Sequence, residues 1–543
     1  MLTMLRPKRT SSNTHSRRIF TTAGLLLALA AASVEAQSAL SFTLPFGPHA
    51  VGFRDVELFD YSRSVLASDS TGEQGVLTPR PIQVSVWYPA RHTAGAKTMR
   101  YRDYVRLYAP PLRFAQRSQQ GHAEAEQAML RHPYLGLRSP DVSWNERQTA
   151  LREAAAREFD TPTHAIRGAP DASGPFPIVV YHAGGDGPSF ENDVLMEFLA
   201  SHGYLVVAVP SWGGAGGSSI DIAGLETEVR DMEFALGYAR SLPGQGGMPT
   251  ALMGFSWGGM TSVLAASRLR PVSAVVGLDA TVRYMPNVYR DACHERCGLY
   301  SVPTLFLNQG AASKRFLQSI GADTGFVFFD QLRYAPAYVV NVNTIKHQNF
   351  ASWYNRLAGP QAEGFVADRA VASRGYERIS QYVLTFLDAF LKSDSRARAL
   401  LDQEPNAVGA SASELTVQRK VAHRPLPTIA SFAAAVRPLG LARAPETLRQ
   451  VLGRDSAYTL PEAELTKWGW SLSGEEAIGV FTVRAMLYPI SPAAHSDLGD
   501  AYLAQADSVN AVRSFERAFQ LDSTATYSRE MLTKLQPSKQ SGR

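Results

Sequence analysis

The chain has 543 residues, of which 45 % are hydrophobic and 19 % charged, a balance that fits a globular protein of two or three domains. Its formal charge of +5 is misleading, because Arg6, Lys8, Arg9, Arg17 and Arg18 face only Glu35 in residues 1–36 and the rest of the chain carries +1. A near-neutral body gives no electrostatic argument for binding nucleic acid.

The first 36 residues read as an export signal. A basic region ends at Arg18, an apolar stretch runs from Ile19 to Ala32, and Val34-Glu35-Ala36 offers small residues for cleavage. That stretch is short for a bilayer span, so no lasting membrane anchor is expected and the mature chain belongs in the periplasm or outside the cell. Ser16-Arg17-Arg18 resembles a twin-arginine signal, and an ordinary secretory signal with paired arginines reads the same way.

Two alternating stretches, Ala50–Tyr61 and Arg80–Tyr88, predict the antiparallel start of a mixed sheet. Residues 91–174 interrupt the pattern with Pro110-Pro111 and two polar helical candidates, near 123–131 and 143–159. So long an interruption is read as a helical cap over a pocket. From Phe176 strands and helices alternate, which predicts a parallel sheet. The strands are 177–182, 204–210, 251–255, 272–278, 304–307 and 338–342; the main helices are 190–202, 225–242 and, closing the domain, 378–391. Gly213–Gly217 lacks the Lys-Ser/Thr of a P-loop and reads as a rim loop.

Cys293 and Cys297 are the only cysteines. An exported chain permits a disulfide, which would close the short Cys-His-Glu-Arg-Cys loop; two free thiols are the alternative. Cys293, His294 and Cys297 supply too few ligands for a metal.

Residues 395–440 carry four scattered prolines and read as a linker. Beyond it, Leu498-Gly499-x-x-Tyr502 followed by Ala511, Phe515 and Ala518 matches the tetratricopeptide pattern, and residues 475–489 resemble a shortened copy. One full repeat is less than such arrays need alone, so residues 441–543 are expected to dock on the main domain, on another protomer or on a protein partner.

The chemistry gathers at Thr250–Gly259, where an apolar strand runs into Gly254-Phe255-Ser256-Trp257-Gly258-Gly259 and a helical pattern follows. Strand, sharp turn and helix are the context in which Gly-x-Ser-x-Gly raises a nucleophilic serine. Ser256 then needs a general base and that base an orienting acid, in the chain order Ser, acid, His. His294, His347, His423 and His495 follow Ser256, and only His347 lies in the turn after the last predicted strand. Asp279 ends a hydrophobic strand, where a carboxylate needs a partner, and is the preferred acid; Asp330 and Asp323 are fallbacks. An oxyanion hole needs two N–H donors. Trp257 supplies one; Gly184 is preferred for the other, with Ala183 and Gly185 open.

Together Val180–Gly185, Leu199–Tyr204, Gly254–Gly259, Gly277–Ala280 and His347-Gln348-Asn349-Phe350 resemble the platelet-activating-factor acetylhydrolase-like branch of the α/β hydrolases, near the dienelactone hydrolases. The resemblance spans about residues 50–392. It implies an α/β-hydrolase fold, Ser256, Asp279 and His347 as a catalytic triad, oxyanion donors at Gly184 and Trp257, and neither metal nor organic cofactor. Ala183 stands where that branch usually has glycine, Trp257 is bulkier than usual, and the cysteine loop is extra. The expected activity is therefore a serine esterase for a small ester or lipid-like substrate, with short acyl groups suggested by Trp257. A peptidase or amidase of the same fold and a non-catalytic partner-binding protein are the competing readings. The expected domains are a signal at 1–36, the hydrolase at 37–394, a linker at 395–440 and an all-α unit at 441–543.

Overall fold

The computed structural model describes residues 42–535 except 68–75, 109–118, 133–142, 214–219, 270, 294–298, 311–317, 319–321, 323–324, 358–368, 406–409, 423–425 and 457. The export signal, His294, Cys297, Asp323, His423 and Gly214–Gly217 lie outside the described residues.

The body is one ten-stranded sheet: β1 (Ala50–Ala67), β2 (Val76–Ala90), β3 (Ala165–Arg167), β4 (Ile178–His182), β5 (Leu205–Val209), β6 (Thr250–Phe255), β7 (Ala274–Leu278), β8 (Thr304–Gln309), β9 (Ala337–Val342) and β10 (Leu415–Lys420). Their spatial order is β10-β9-β8-β7-β6-β4-β5-β2-β1-β3. From β5 to β9 all neighbours are parallel; β2 and β10 join antiparallel at either side. The parallel strands read as apolar runs such as Ile-Val-Val-Tyr and Leu-Val-Val-Ala-Val because helices cover both faces. Alternate residues enter two cores. Val179, Tyr181, Met253 and Val276 meet Phe198, Tyr376 and Phe386 on one face. Val180, Leu252, Val275 and Phe306 meet α5 (Ile222–Ser241) and α6 (Trp257–Arg268) on the other.

The insertion holds α1 (Tyr101–Val105), α2 (Gln119–Leu130) and α3 (Trp144–Glu158), and returns to the sheet as β3, a short strand parallel to β1. Ser143 and Glu146 form the capping box that starts α3. The insertion is tied to the body by a buried relay: Trp87 Nε1 donates to Tyr104 Oη at 2.7 Å, and Tyr104 Oη to Glu197 Oε1 at 2.7 Å. Glu197 lies in α4 (Asp193–Ser201).

The boundary expected at residue 394 needs correction. Beyond residue 394 the chain still packs on the body: helix Ser395–Leu401 buries Ala397 and Leu401, and β10 pairs with β9 along its whole length. The helical unit begins earlier than 441, since Phe432 and Val436 of helix Ile429–Val436 share a core with Ala444, Leu448 and Leu465. Further on, helices Pro492–Ala504 and Ser508–Leu521 pack so closely that a Cβ on Gly499 would meet the Phe515 ring at 2.8 Å. Gly469 stands in the same relation to Phe481, at 2.5 Å. Arg333 and Asp455 bridge the body and this unit at 3.2 Å. No helix among the described residues is long and apolar enough to cross a membrane.

Candidate active site

The site stands at the carboxyl ends of β4, β6 and β7. Ser256 links β6 to α6 with φ 51°, a left-handed value that a residue with a Cβ adopts only under constraint. Ser256 N–H donates to Leu278 O at 2.9 Å, and its own carbonyl accepts from Thr281 N–H at 2.9 Å. The turn tolerates no Cβ at two flanking glycines. On Gly254 it would lie 2.2 Å from Gly258 O, and on Gly258 2.2 Å from His182 O. The glycines of the motif thus let β6, α6 and the end of β4 cross in contact. Five non-glycine residues among those described have positive φ, and three of them, Asp186, Ser256 and Asp279, are here. Such strain is kept where the surrounding structure over-determines it, commonly at a functional site.

The structure brings the three preferred residues together. His347 opens the short helix His347–Phe350 after β9. Its Nε2 is 3.0 Å from Ser256 Oγ and its Nδ1 is 2.6 Å from Asp279 Oδ2. The carboxylate at Nδ1 fixes the proton on that nitrogen and leaves Nε2 to accept from the serine hydroxyl. The imidazole also lies over Phe255, ring centroids 4.8 Å apart, and its side chain remains 30 % exposed, open to a small molecule.

Asp279 is fully buried. Burial pushes its carboxyl up, but the bond and charge of His347, the Tyr284 hydroxyl and the Arg283 guanidinium outweigh it and hold the group below the ordinary carboxylate range. Oδ1 accepts from Tyr284 Oη at 2.5 Å and from Gln309 N–H at 3.1 Å. Asp330 lies in helix Val327–Gln331, and Lys420 Nζ donates to its carbonyl.

The glycine loop after β4 reaches the elbow, since a Cβ on Gly184 would meet the Phe255 ring at 2.8 Å. Its N–H groups differ from expectation. Ala183 N–H donates to Val209 O at 3.1 Å, and Gly184 N–H, the preferred oxyanion donor, donates to Glu191 Oε1 at 2.8 Å. Trp257 N–H is at the first position of α6, where no intrahelical acceptor exists. Its indole is 2 % exposed and belongs to the core on the α5 and α6 face.

Two buried carboxyls beside this loop were not singled out from sequence. Glu191 lies between the loop and α4; burial raises it to about 8 despite bonds from Tyr181 and Gly184. Glu228, from α5, accepts from Ser211 Oγ at 2.5 Å and lies 4.0 Å from His182 Nδ1; burial raises it to about 8 as well. For Glu228 the available signal was a charged residue on an otherwise apolar helix face, which is ambiguous until the partner is known. From the insertion, His132 Nε2 approaches Asp186 O at 3.0 Å. No group of histidine, cysteine and carboxylate among the described residues could hold a metal.

A parallel sheet in this order, with an antiparallel second strand and a strained serine between the central strand and its helix, is the α/β-hydrolase fold. No protein-family model matches the chain. No curated protein matches it either. Among solved structures, a ferulic acid esterase from Streptomyces cinnamoneus is similar at 20 % identity and a TM-score of 0.46, covering 70 % of this chain and 100 % of that one.

Proposed function

We propose that this protein is a serine hydrolase of carboxylic esters. The observation that carries the reading is the contact series from Ser256 Oγ through His347 Nε2 and Nδ1 to the buried Asp279 carboxylate, at 3.0 and 2.6 Å. Ser256 Oγ attacks the ester carbonyl as His347 Nε2 takes its proton. Asp279 stabilises the imidazolium and stays ionised, in keeping with its lowered carboxyl. The tetrahedral oxyanion is met by the N–H of Trp257 and by an N–H of the 183–187 loop. Collapse breaks the ester C–O bond, and His347 returns the proton to the leaving alkoxide. Water then attacks the acyl-enzyme with His347 again as base, releasing the carboxylic acid and restoring the Ser256 hydroxyl.

Export through residues 1–36, closure of the insertion over the site and partner binding by the C-terminal helices belong to the same proposal. The short-acyl preference expected from the bulk of Trp257 is not part of it, because that indole is buried in the core on the α5 and α6 face.

Labelling with a fluorophosphonate and mass mapping test the reading. One adduct, on Ser256, is expected, and Ser256→Ala should lower p-nitrophenyl ester hydrolysis by about 10³-fold or more. Full hydrolysis by Ser256→Ala would refute it. Faster turnover of matched anilides than of esters would move the assignment to the amidase reading.

A further inference from the structure

Glu191 ties the glycine loop to the segment carrying His347, through its carboxyl on one side and its backbone carbonyl on the other. Its Oε1 accepts from Gly184 N–H at 2.8 Å and from Tyr181 Oη at 2.5 Å. Its backbone carbonyl accepts from Trp353 N–H at 3.0 Å and from Ser352 Oγ at 3.0 Å. Ser352 and Trp353 open the helix Ser352–Leu357, five and six residues after His347. The neighbours continue the anchor: Asn192 Oδ1 accepts from Ser352 N–H at 3.0 Å and from Tyr376 Oη at 2.7 Å. Glu191 is fully enclosed. The loop is shaped to its carboxyl as well, since a Cβ on Gly187 would lie 2.3 Å from Oε2.

The N–H groups of the loop can be followed in order. Ala183 donates to Val209 O and Gly187 to Gly184 O, closing a tight turn with Asp186 at φ 57°. Gly184 donates to Glu191. Gly185, half-buried and next to the Gly184 that packs on Phe255 of the elbow, is the next amide along and has no protein acceptor among the described residues.

We propose that Glu191 is a positioning residue: by engaging Gly184 N–H, it turns the loop so that Gly185 N–H, together with Trp257 N–H, receives the oxyanion formed at Ser256. This rests on the serine-hydrolase reading above. The function needs an acceptor oxygen at Glu191 and not a negative charge. Glutamine, with its carbonyl in the same place, therefore preserves it, and methionine, of similar length but without an acceptor, does not.

The test compares Glu191→Met and Glu191→Gln with the parent and with Ser256→Ala, on one p-nitrophenyl ester. Glu191→Met should lose about 10²-fold in kcat, the usual effect of removing one oxyanion donor. KM should change by less than about threefold, because the carbonyl is bound tightly only as it becomes an oxyanion. Glu191→Gln should restore kcat to within about threefold of the parent. A purely structural role would lower the melting temperature without this split between kcat and KM. If Glu191→Met does not fold, Gly187→Ala displaces the carboxyl from the rim and should lower kcat by about tenfold or more at similar KM. A folded Glu191→Met enzyme at parental kcat overturns the proposal, as does a Gln variant as slow as the Met variant; in both cases loss of turnover in Ser256→Ala keeps the nucleophile in place. Turnover surviving in Ser256→Ala overturns both readings.

Discussion

Asp279 shows how one residue's surroundings decide its chemistry. A carboxylate with no exposed surface is held ionised only by donors, and its donors come from three directions: His347, Tyr284 and the Gln309 amide. Asp279→Asn keeps the shape and loses the acceptor that fixes the imidazole tautomer. A fall of about 10⁴-fold in kcat is expected, measured on the same ester. Tyr284→Phe removes one of the three donors and leaves the geometry in place. The carboxyl should then titrate higher, and with a weaker hold on the orienting acid kcat on the same ester should fall about tenfold. A parental kcat in Tyr284→Phe would show that the hydroxyl does not contribute to holding Asp279. Asp279 and His347 were legible in the sequence because chain order and strand ends leave few candidates. Tyr284 was not, because nothing in the composition of Thr281–Tyr284 says that the chain folds its fourth residue back onto the strand end. The identity of the loop donor was equally hidden, since Glu191 competes for Gly184 N–H only once α4 packs against the loop.

Among the elements, the parallel strands and their helices were legible because six apolar runs alternate with helical patterns, and doubly covered strands admit little else. The edge elements were not. Leu-Thr-Val-Gln-Arg-Lys is six residues among scattered prolines, and only pairing with β9 makes it β10. β3 is shorter still, and its parallel contact with β1 depends on the whole insertion returning to the edge. This has a consequence for where the chain can be cut. A chain ending at residue 394 leaves the outer edge of β9 unpaired and takes away Leu401 and Leu415, both of which belong to the core. An unpaired β edge invites association with other chains. Residues 37–394 should therefore aggregate or melt well below residues 37–422, measured by size exclusion and thermal unfolding. Equal solubility and melting of the two would show that β10 is an accessory strand.

On the scale of the whole molecule, the buried carboxyls around the glycine loop couple stability to pH. Glu228 is enclosed between α5, α6 and the ends of β4 and β5, and burial pushes it up to about 8. The nearby Asp231 raises it further, while Ser211, Arg80 and Thr261 lower it without offsetting the burial. Arg80 is itself committed to Asp231, at 2.7 and 2.5 Å. His182, also fully buried, is lowered by burial and so is biased toward its uncharged form, leaving no strong cation to hold Glu228 ionised. In the unfolded chain a glutamate titrates near 4.3. The folded state therefore binds more protons than the unfolded state between those two values, and stability falls as pH rises through that interval. The contribution is complete below about pH 4 and is lost as pH passes about 8, the reverse of the Asp279 contribution, which is lost on acidification. Glu228→Gln mimics the neutral carboxyl, keeps an acceptor for Ser211 Oγ and has nothing to ionise. Its melting temperature should match that of the parent near pH 5 and exceed it by several degrees near pH 9, where the parent must either charge a buried site or open it. Melting curves of the two proteins at half-unit steps of pH measure the difference directly. If they stay parallel across the interval, Glu228 is ionised in the fold at neutral pH, and Arg80 and His182 must then be its counter-charges.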